Sequence, residues 1–433
     1  MRRYILFAAL LSATPALSQS LPPVRPIGAT VARSTEPMGS VSTTVALSDG
    51  KVLVNDILKR RVLLMDSTFT EVTVVADSTS STANAYGGRT GGLLSYRGDS
   101  ALFVDPSSMS MLVINSAGKI TRVMSAPRPQ DVNFLIGGPN GSPGFDAKGR
   151  LVYRAQPAMR MAAPRGGGAG PILPEFPDSV PVVRFDLGTR TLDTAGFFRI
   201  NRPNMTVTQT ASGGISISST TNPIPTVDDW ALLSDGTIAF VRGADYSINW
   251  VSPDGSKSST GKVPYEWQRL DEDGKIALLD SARKALEAAR ERARAGMAGG
   301  AAGVEIATRM AVTAGAAPPA RGGGGGGAPG APGARMELPP INMIDADKLP
   351  DYRPAFTAGS ARGDLDGNLW VRTTSPVGNA GPIYFIINTK GEVIDRVQLP
   401  EGRLIAGFGK HGDVYMALRD AEGNARVERA KIR

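Results

Sequence analysis

The chain has 433 residues, no cysteine, one histidine and a formal net charge of +8. The lack of cysteine excludes disulfides, thiolate metal sites and a cysteine nucleophile, and a single histidine leaves the usual zinc cluster without its ligands. The basic residues are scattered rather than gathered with aromatics on one face, so no nucleic-acid partner is expected.

Arg2 and Arg3 precede a short apolar run over residues 4–11, and Ala16-Leu17-Ser18 offers small residues for cleavage. Residues 1–18 read as a signal peptide, which places the mature chain in the periplasm or outside the cell. The apolar run is too short to span a bilayer and no later run is longer, so no transmembrane segment is expected. The mature chain, residues 19–433, is expected to act as a monomer. Residues 19–36 are proline-rich, with one strand candidate at 27–32.

From there a pattern recurs six times: a small turn containing Gly, then an alternating apolar run. Its copies begin at Asp49-Gly50, Gly98-Asp99, Lys148-Gly149, Asp235-Gly236, Asp366-Gly367 and His411-Gly412. Each reads as a tight two-residue turn between antiparallel strands, with Gly supplying a positive φ. Where nothing is inserted the copies lie about 45–50 residues apart, the length of a four-stranded propeller blade. Six copies predict an all-β fold, a six-bladed β-propeller, with blades at about 39–77, 88–127, 134–200, 228–264, 356–400 and 402–433. The last blade is short of chain, and strand 27–32 is the expected substitute, closing the ring.

Three stretches interrupt the repeats. Residues 159–170 read as an outward loop and 201–222 as a polar delay before blade four. Residues 267–350 form a long insertion. Within it 270–295 has helical composition, Asp271 is the candidate N-cap, and Ile276, Leu279 and Leu286 recur on one face. That face could lie over the channel as a lid. Residues 296–340 are Gly/Ala/Pro-rich and expected to be disordered.

The stretch from Val54-Asn55-Asp56 through Arg61-Val62-Leu63-Leu64-Met65-Asp66 is similar to an NHL repeat. So is Asp364-Leu365-Asp366-Gly367-Asn368-Leu369-Trp370-Val371 with the strand that follows. The resemblance covers most of residues 39–433 and points to the NHL-like six-bladed propellers of secreted bacterial proteins. It implies a fold and leaves the activity open.

Propellers bind ligands at the channel mouth, so residues after each second strand are the candidates. These are Asp56, Asp105, Arg154, Arg242 and Arg372, with Arg419 close by and Asp228 entering blade four. Arginine forks suit carboxylate or phosphate groups. The pair Asp228-Asp229 beside Trp230 is the one place for a hydrated metal such as Ca²⁺, although adjacent strand residues point to opposite faces. His411 sits in a hairpin turn, a poor position for a general base. No serine lies in a Gly-x-Ser-x-Gly elbow, and residues 322–327 lack the ending of a phosphate loop. The expected function is an exported binding or scaffold module for a cell-envelope protein, peptide or glycan, with no cofactor and no catalytic residue. The alternative is a divalent-cation-dependent propeller hydrolase or lyase.

Overall fold

The structure is a computed structural model that describes residues 20–79, 86–157, 160–162, 173–175, 177–202, 204–209, 215–297, 341–375 and 380–432. The expected signal peptide and, from residue 298, the low-complexity linker lie outside them. The six repeats fold as six four-stranded antiparallel sheets at 41–76, 92–125, 144–199, 229–260, 356–398 and 404–431, forming a six-bladed β-propeller. The alternating apolar runs become the second and third strands of each blade. Both of their faces are buried, as Val52–Asp56 and Ile383–Ile387 show throughout their length.

The turn glycines Gly50, Gly98, Gly149, Gly236, Gly367 and Gly412 all have positive φ, between 62° and 88°. The turns hold three residues rather than the two expected. Leu47 N–H bonds to the Lys51 carbonyl, and Leu233 N–H to that of Thr237. In five of the six the glycine is the third residue and takes the left-handed conformation, the bulged form of the hairpin; in blade two Gly98 is the second. In several turns an aspartate steadies the loop by accepting the N–H two residues on, as Asp146 does from Lys148 and Asp235 from Thr237.

Six apolar clusters hold the ring, one at each blade interface. Leu53 and Phe103 join blades one and two, Val104 and Tyr153 blades two and three, and Val152 and Trp230 blades three and four. Tyr246 and Phe385 join blades four and five, Trp370 and Val414 blades five and six, and Val54 and Tyr415 blades six and one. The outer strand of blade six is supplied by Thr30–Arg33, which pairs antiparallel with Ala425–Lys431. Upstream of it, Val24–Pro26 adds a fifth, parallel strand to blade five, and Arg25 pairs with Asp395.

The inner strands approach closely at glycines. A Cβ on Gly363 of blade five would stand 2.1 Å from the Leu232 carbonyl oxygen of blade four. Backbone cannot yield as a side-chain end can, so Gly363→Ala is expected to cost about 3 kcal/mol in a denaturant titration.

In each blade the turns after the first and third strands lie on one face of the ring, here the turn face. The loops after the second strand and the connections between blades lie on the other, the loop face. All long insertions are on the loop face, around blades three to five. Residues 201–222 are not a plain polar delay: Asn204–Gln209 and Ile215–Thr221 form a hairpin, extended by Asn342–Met343. Helix α1 spans Glu272–Met297, and Asp271 caps it through Gly274 N–H at 2.9 Å. Its buried face is rotated from the expected one. Leu279 is buried, but Ile276 is 48% exposed and Lys275 takes its place, paired with Asp351 at 2.8 Å. Leu278 and Leu279 pack on Ile224, Leu270 and residues 343–349. That cluster contains no inner-strand residue, so the packing supplies no support for a lid.

Candidate functional site

The candidates after the second strands divide between two faces. Strand residues alternate, and Arg154 and Arg372 lie five residues after their turn glycines, whereas Asp56 and Arg242 lie six after theirs. Asp56, Asp105, Arg242 and Asp228 serve the blades themselves. Asp56 is fully buried and accepts N–H from Gly39 and Ser40 and a bond from Arg61 Nε. This ties the start of blade one to its second strand. Asp105 accepts N–H from Ser107 and Ser108 within its own loop. Asp228 accepts Arg242 Nη1 at 2.8 Å and Gly243 N–H at 3.0 Å. In these four the polar atoms are engaged within the blades: the three aspartates accept backbone N–H groups, and Arg242 donates to Asp228 and to the Phe197 carbonyl. Arg419 is exposed and bonds to the Gly423 carbonyl of its hairpin. His411 is an exposed turn residue with φ 59°.

Arg154 points to the channel, where it meets chain rather than space. It bonds to Asn140 Oδ1 and lies 4.6 Å over the Phe134 ring. Burial pushes its pKa down to about 10. Residues 134–143, expected to open blade three, are not its inner strand, which is only Gly144–Phe145. The chain before it folds into two short 3₁₀ turns, Pro129–Leu135 and Gly138–Asn140.

This segment reaches three inner strands. Gly92 of blade two abuts the backbone of Leu135 and Ile136, Gly359 of blade five abuts Gly138 and Pro139, and Gly141 lies on the Trp230 ring of blade four. Trp230 Nε1 also donates to the Asn140 carbonyl at 3.0 Å. Blades two and five stand opposite one another in a six-membered ring, so residues 129–141 cross the axis and plug the loop-face mouth.

Asp229 opens the inner strand of blade four and is buried. Asp228 and Asp229 point apart, as neighbours on a strand must. Asp229 Oδ2 accepts Ser360 and Ala361 N–H at 2.7 and 2.8 Å. Burial pushes its pKa up to about 7, against these donors and the charge of Arg362. Among the described residues no group of three or more His, Cys, Asp or Glu side chains could hold a metal ion. The two carboxylates of the expected Ca²⁺ position, Asp228 and Asp229, do not converge on one point.

An open cavity lies at the other end. A depression of about 620 Å³ lies among the turns of blades two to five. It exists because blade three has so short an inner strand. Tyr96 and Phe145 form an edge-to-face pair on its wall, with centroids 5.0 Å apart. Ser95, Ser142 and Ser234 contribute hydroxyls, and Arg97 and Lys148 stand exposed at the rim. Its acidic residues are committed to their own turns. Asp146 holds Arg150 at 2.8 Å, and Asp364 accepts Trp370 Nε1 and Asn368. The cavity therefore presents cations, hydroxyls and an aromatic wall. Sequence reading missed it because the turns were recognised singly, and nothing local says which turns meet.

No protein-family model and no curated protein matches the chain. Solved structures with a similar course of chain are six-bladed propellers. A streptogramin B lyase is 12% identical, with 93% of this chain and 86% of that one covered and a TM-score of 0.33. A gluconolactonase from Xanthomonas campestris is 10% identical over 94% and 99%, with a TM-score of 0.37. A member of the DUF4221 family from Bacteroides vulgatus is 9% identical over 94% and 98%, with a TM-score of 0.46. Likeness at these levels carries no information about ligand or activity. No helix among the described residues is long and apolar enough to cross a membrane.

Proposed function

We infer that the protein is an exported, NHL-like propeller that acts as a monomeric binding module for a cell-envelope glycan bearing acidic groups. The observation that carries this reading is the turn-face cavity of about 620 Å³, with Arg97 and Lys148 at its rim. A half-buried Tyr96 beside Phe145 suits the apolar face of a sugar ring, and the serine hydroxyls suit its polar edge. The two cations favour a carboxylate substituent over a neutral sugar.

Replacement of Arg97 and Lys148 together by Ala is the test. Each charge-assisted contact is worth about 1.5 kcal/mol, so affinity for a uronic-acid oligosaccharide should fall roughly 100-fold at low salt. A neutral oligosaccharide should be bound weakly and equally by both proteins. Equal binding of the acidic ligand by both would overturn the reading. The alternative, a divalent-cation-dependent hydrolase or lyase, requires carboxylates that converge, and those near the cavity are held by their own turns. A one-to-one calorimetric isotherm with Ca²⁺ would favour it.

A further inference from the structure

The inner strand of blade five carries a guanidinium without a partner. Arg362 stands in Phe356–Gly363 among small residues, Gly359, Ser360, Ala361 and Gly363. The ring encloses it, and burial pushes its pKa below the ordinary arginine value. It nevertheless keeps accessible surface, so its head group borders a space rather than packed core. Among the described residues it makes no hydrogen bond or ion pair. The charges that act on it are the Tyr384 phenol, the like charge of Arg372 and the Asp229 carboxylate. Asp229 is turned to the backbone of Ser360 and Ala361 instead.

Register places these groups together. Arg362 pairs across to Trp370, and Arg372, two residues further on, pairs across to Tyr384. Residues two apart share a face, and Trp370 and Tyr384 belong to the apolar cluster against blade six. Arg362, Arg372 and Tyr384 therefore line one face between blades five and six. Arg372 also makes no hydrogen bond or ion pair among the described residues. Two guanidiniums on one face, with no carboxylate bound to either, repel one another, and an anion between them would relieve that repulsion. Two planar N–H forks and a hydroxyl are the donors that an oxyanion requires.

We propose that the face lined by Arg362, Arg372 and Tyr384 is an internal oxyanion site, separate from the turn-face cavity, that takes a phosphate or a carboxylate. Gly363, next to Arg362, lines that cavity, so the open mouth is the route inward.

The test is thermal denaturation of the mature protein in low-millimolar phosphate or acetate, each compared with chloride at equal ionic strength. At such concentrations general salt effects are small. One of the two anions is expected to raise Tm by a few degrees, and which one does so tells phosphate from carboxylate. The rise should vanish in Arg362→Gln and Arg372→Gln and shrink in Tyr384→Phe, which keeps the ring. It should persist in the Arg97→Ala/Lys148→Ala protein, so this site and the proposed glycan cavity fail independently. Should Arg362→Gln not fold, the half-buried Arg372 and the conservative Tyr384→Phe still decide the question. Equal Tm in all three salts, or a rise retained in the arginine variants, would overturn the proposal.

Discussion

A chain lacking residues 20–33 is expected to melt roughly 5 °C or more below the full mature chain and to aggregate on heating. The segment supplies Thr30–Arg33, the outer strand of blade six, and Val24–Pro26, the extra strand of blade five. It also buries Ile27 against the cluster between blades five and six and sets Arg33 3.7 Å from Glu428. Each lost ladder bond is worth about 1 kcal/mol and the burial of Ile27 about 2 kcal/mol. In a chain this long about 1 kcal/mol moves Tm by only about 1 °C, so the sum is several degrees. The exposed edges of 425–431 and 393–398 then become templates for pairing with other chains. An unchanged Tm would show that the ring closes without the N-terminal strand.

The second large effect concerns Asp229. Its folded pKa, about 7, lies above the ordinary aspartate value of 3.8, chiefly because burial disfavours the charged form. The folded state therefore holds this proton where the unfolded state has released it. The stability that comes with the proton is present at acid pH, is lost as pH rises between about 4 and 7, and is absent above that window. Three units correspond to at most about 4 kcal/mol. Asp229→Asn keeps an oxygen for the N–H groups of Ser360 and Ala361 but carries no charge. The variant is expected to match the wild type near about pH 4 and to exceed it by about 2–4 kcal/mol near about pH 8. Denaturant titrations at the two pH values check this. A variant that is less stable at both would mean that the ionised carboxylate stabilises the fold through its backbone donors.

Much of the architecture was legible because its determinants are local. A turn glycine with positive φ followed by alternating apolar residues specifies a hairpin wherever it occurs, and six hairpins at blade spacing specify a ring. Asp271 marked the start of α1 by the same local logic. The helix face was not legible, because the buried Lys275 is paired with Asp351, which is distant in sequence. The hairpin Asn204–Gln209 with Ile215–Thr221 was missed for a different reason. Its Ser/Thr-rich composition resembles that of a loop, and only pairing makes it a strand pair.

The candidate site was less legible. Six residues after second strands were treated as one ring, yet a one-residue offset turns a strand residue to the other face. That offset made Asp56 and Arg242 clamps within their own blades, while Arg154 meets the segment that crosses the channel and Arg372 lies on the face toward blade six. An arginine in an inner strand of small residues was the available signal for Arg362, but nothing local says that it lacks a partner.

The sequence by itself determined the six hairpins, the number of blades, the position of the inserted helix and the absence of cysteine. These follow from turn conformation, strand periodicity and composition, which depend on neighbours along the chain. Only the tertiary structure decided that residues 129–141 cross the channel, that the open cavity lies on the turn face and that Arg362 stands enclosed beside Arg372. Those facts depend on which strands meet across the ring, where the shortness of Gly144–Phe145 and close backbone contacts such as that at Gly363 set the space that remains.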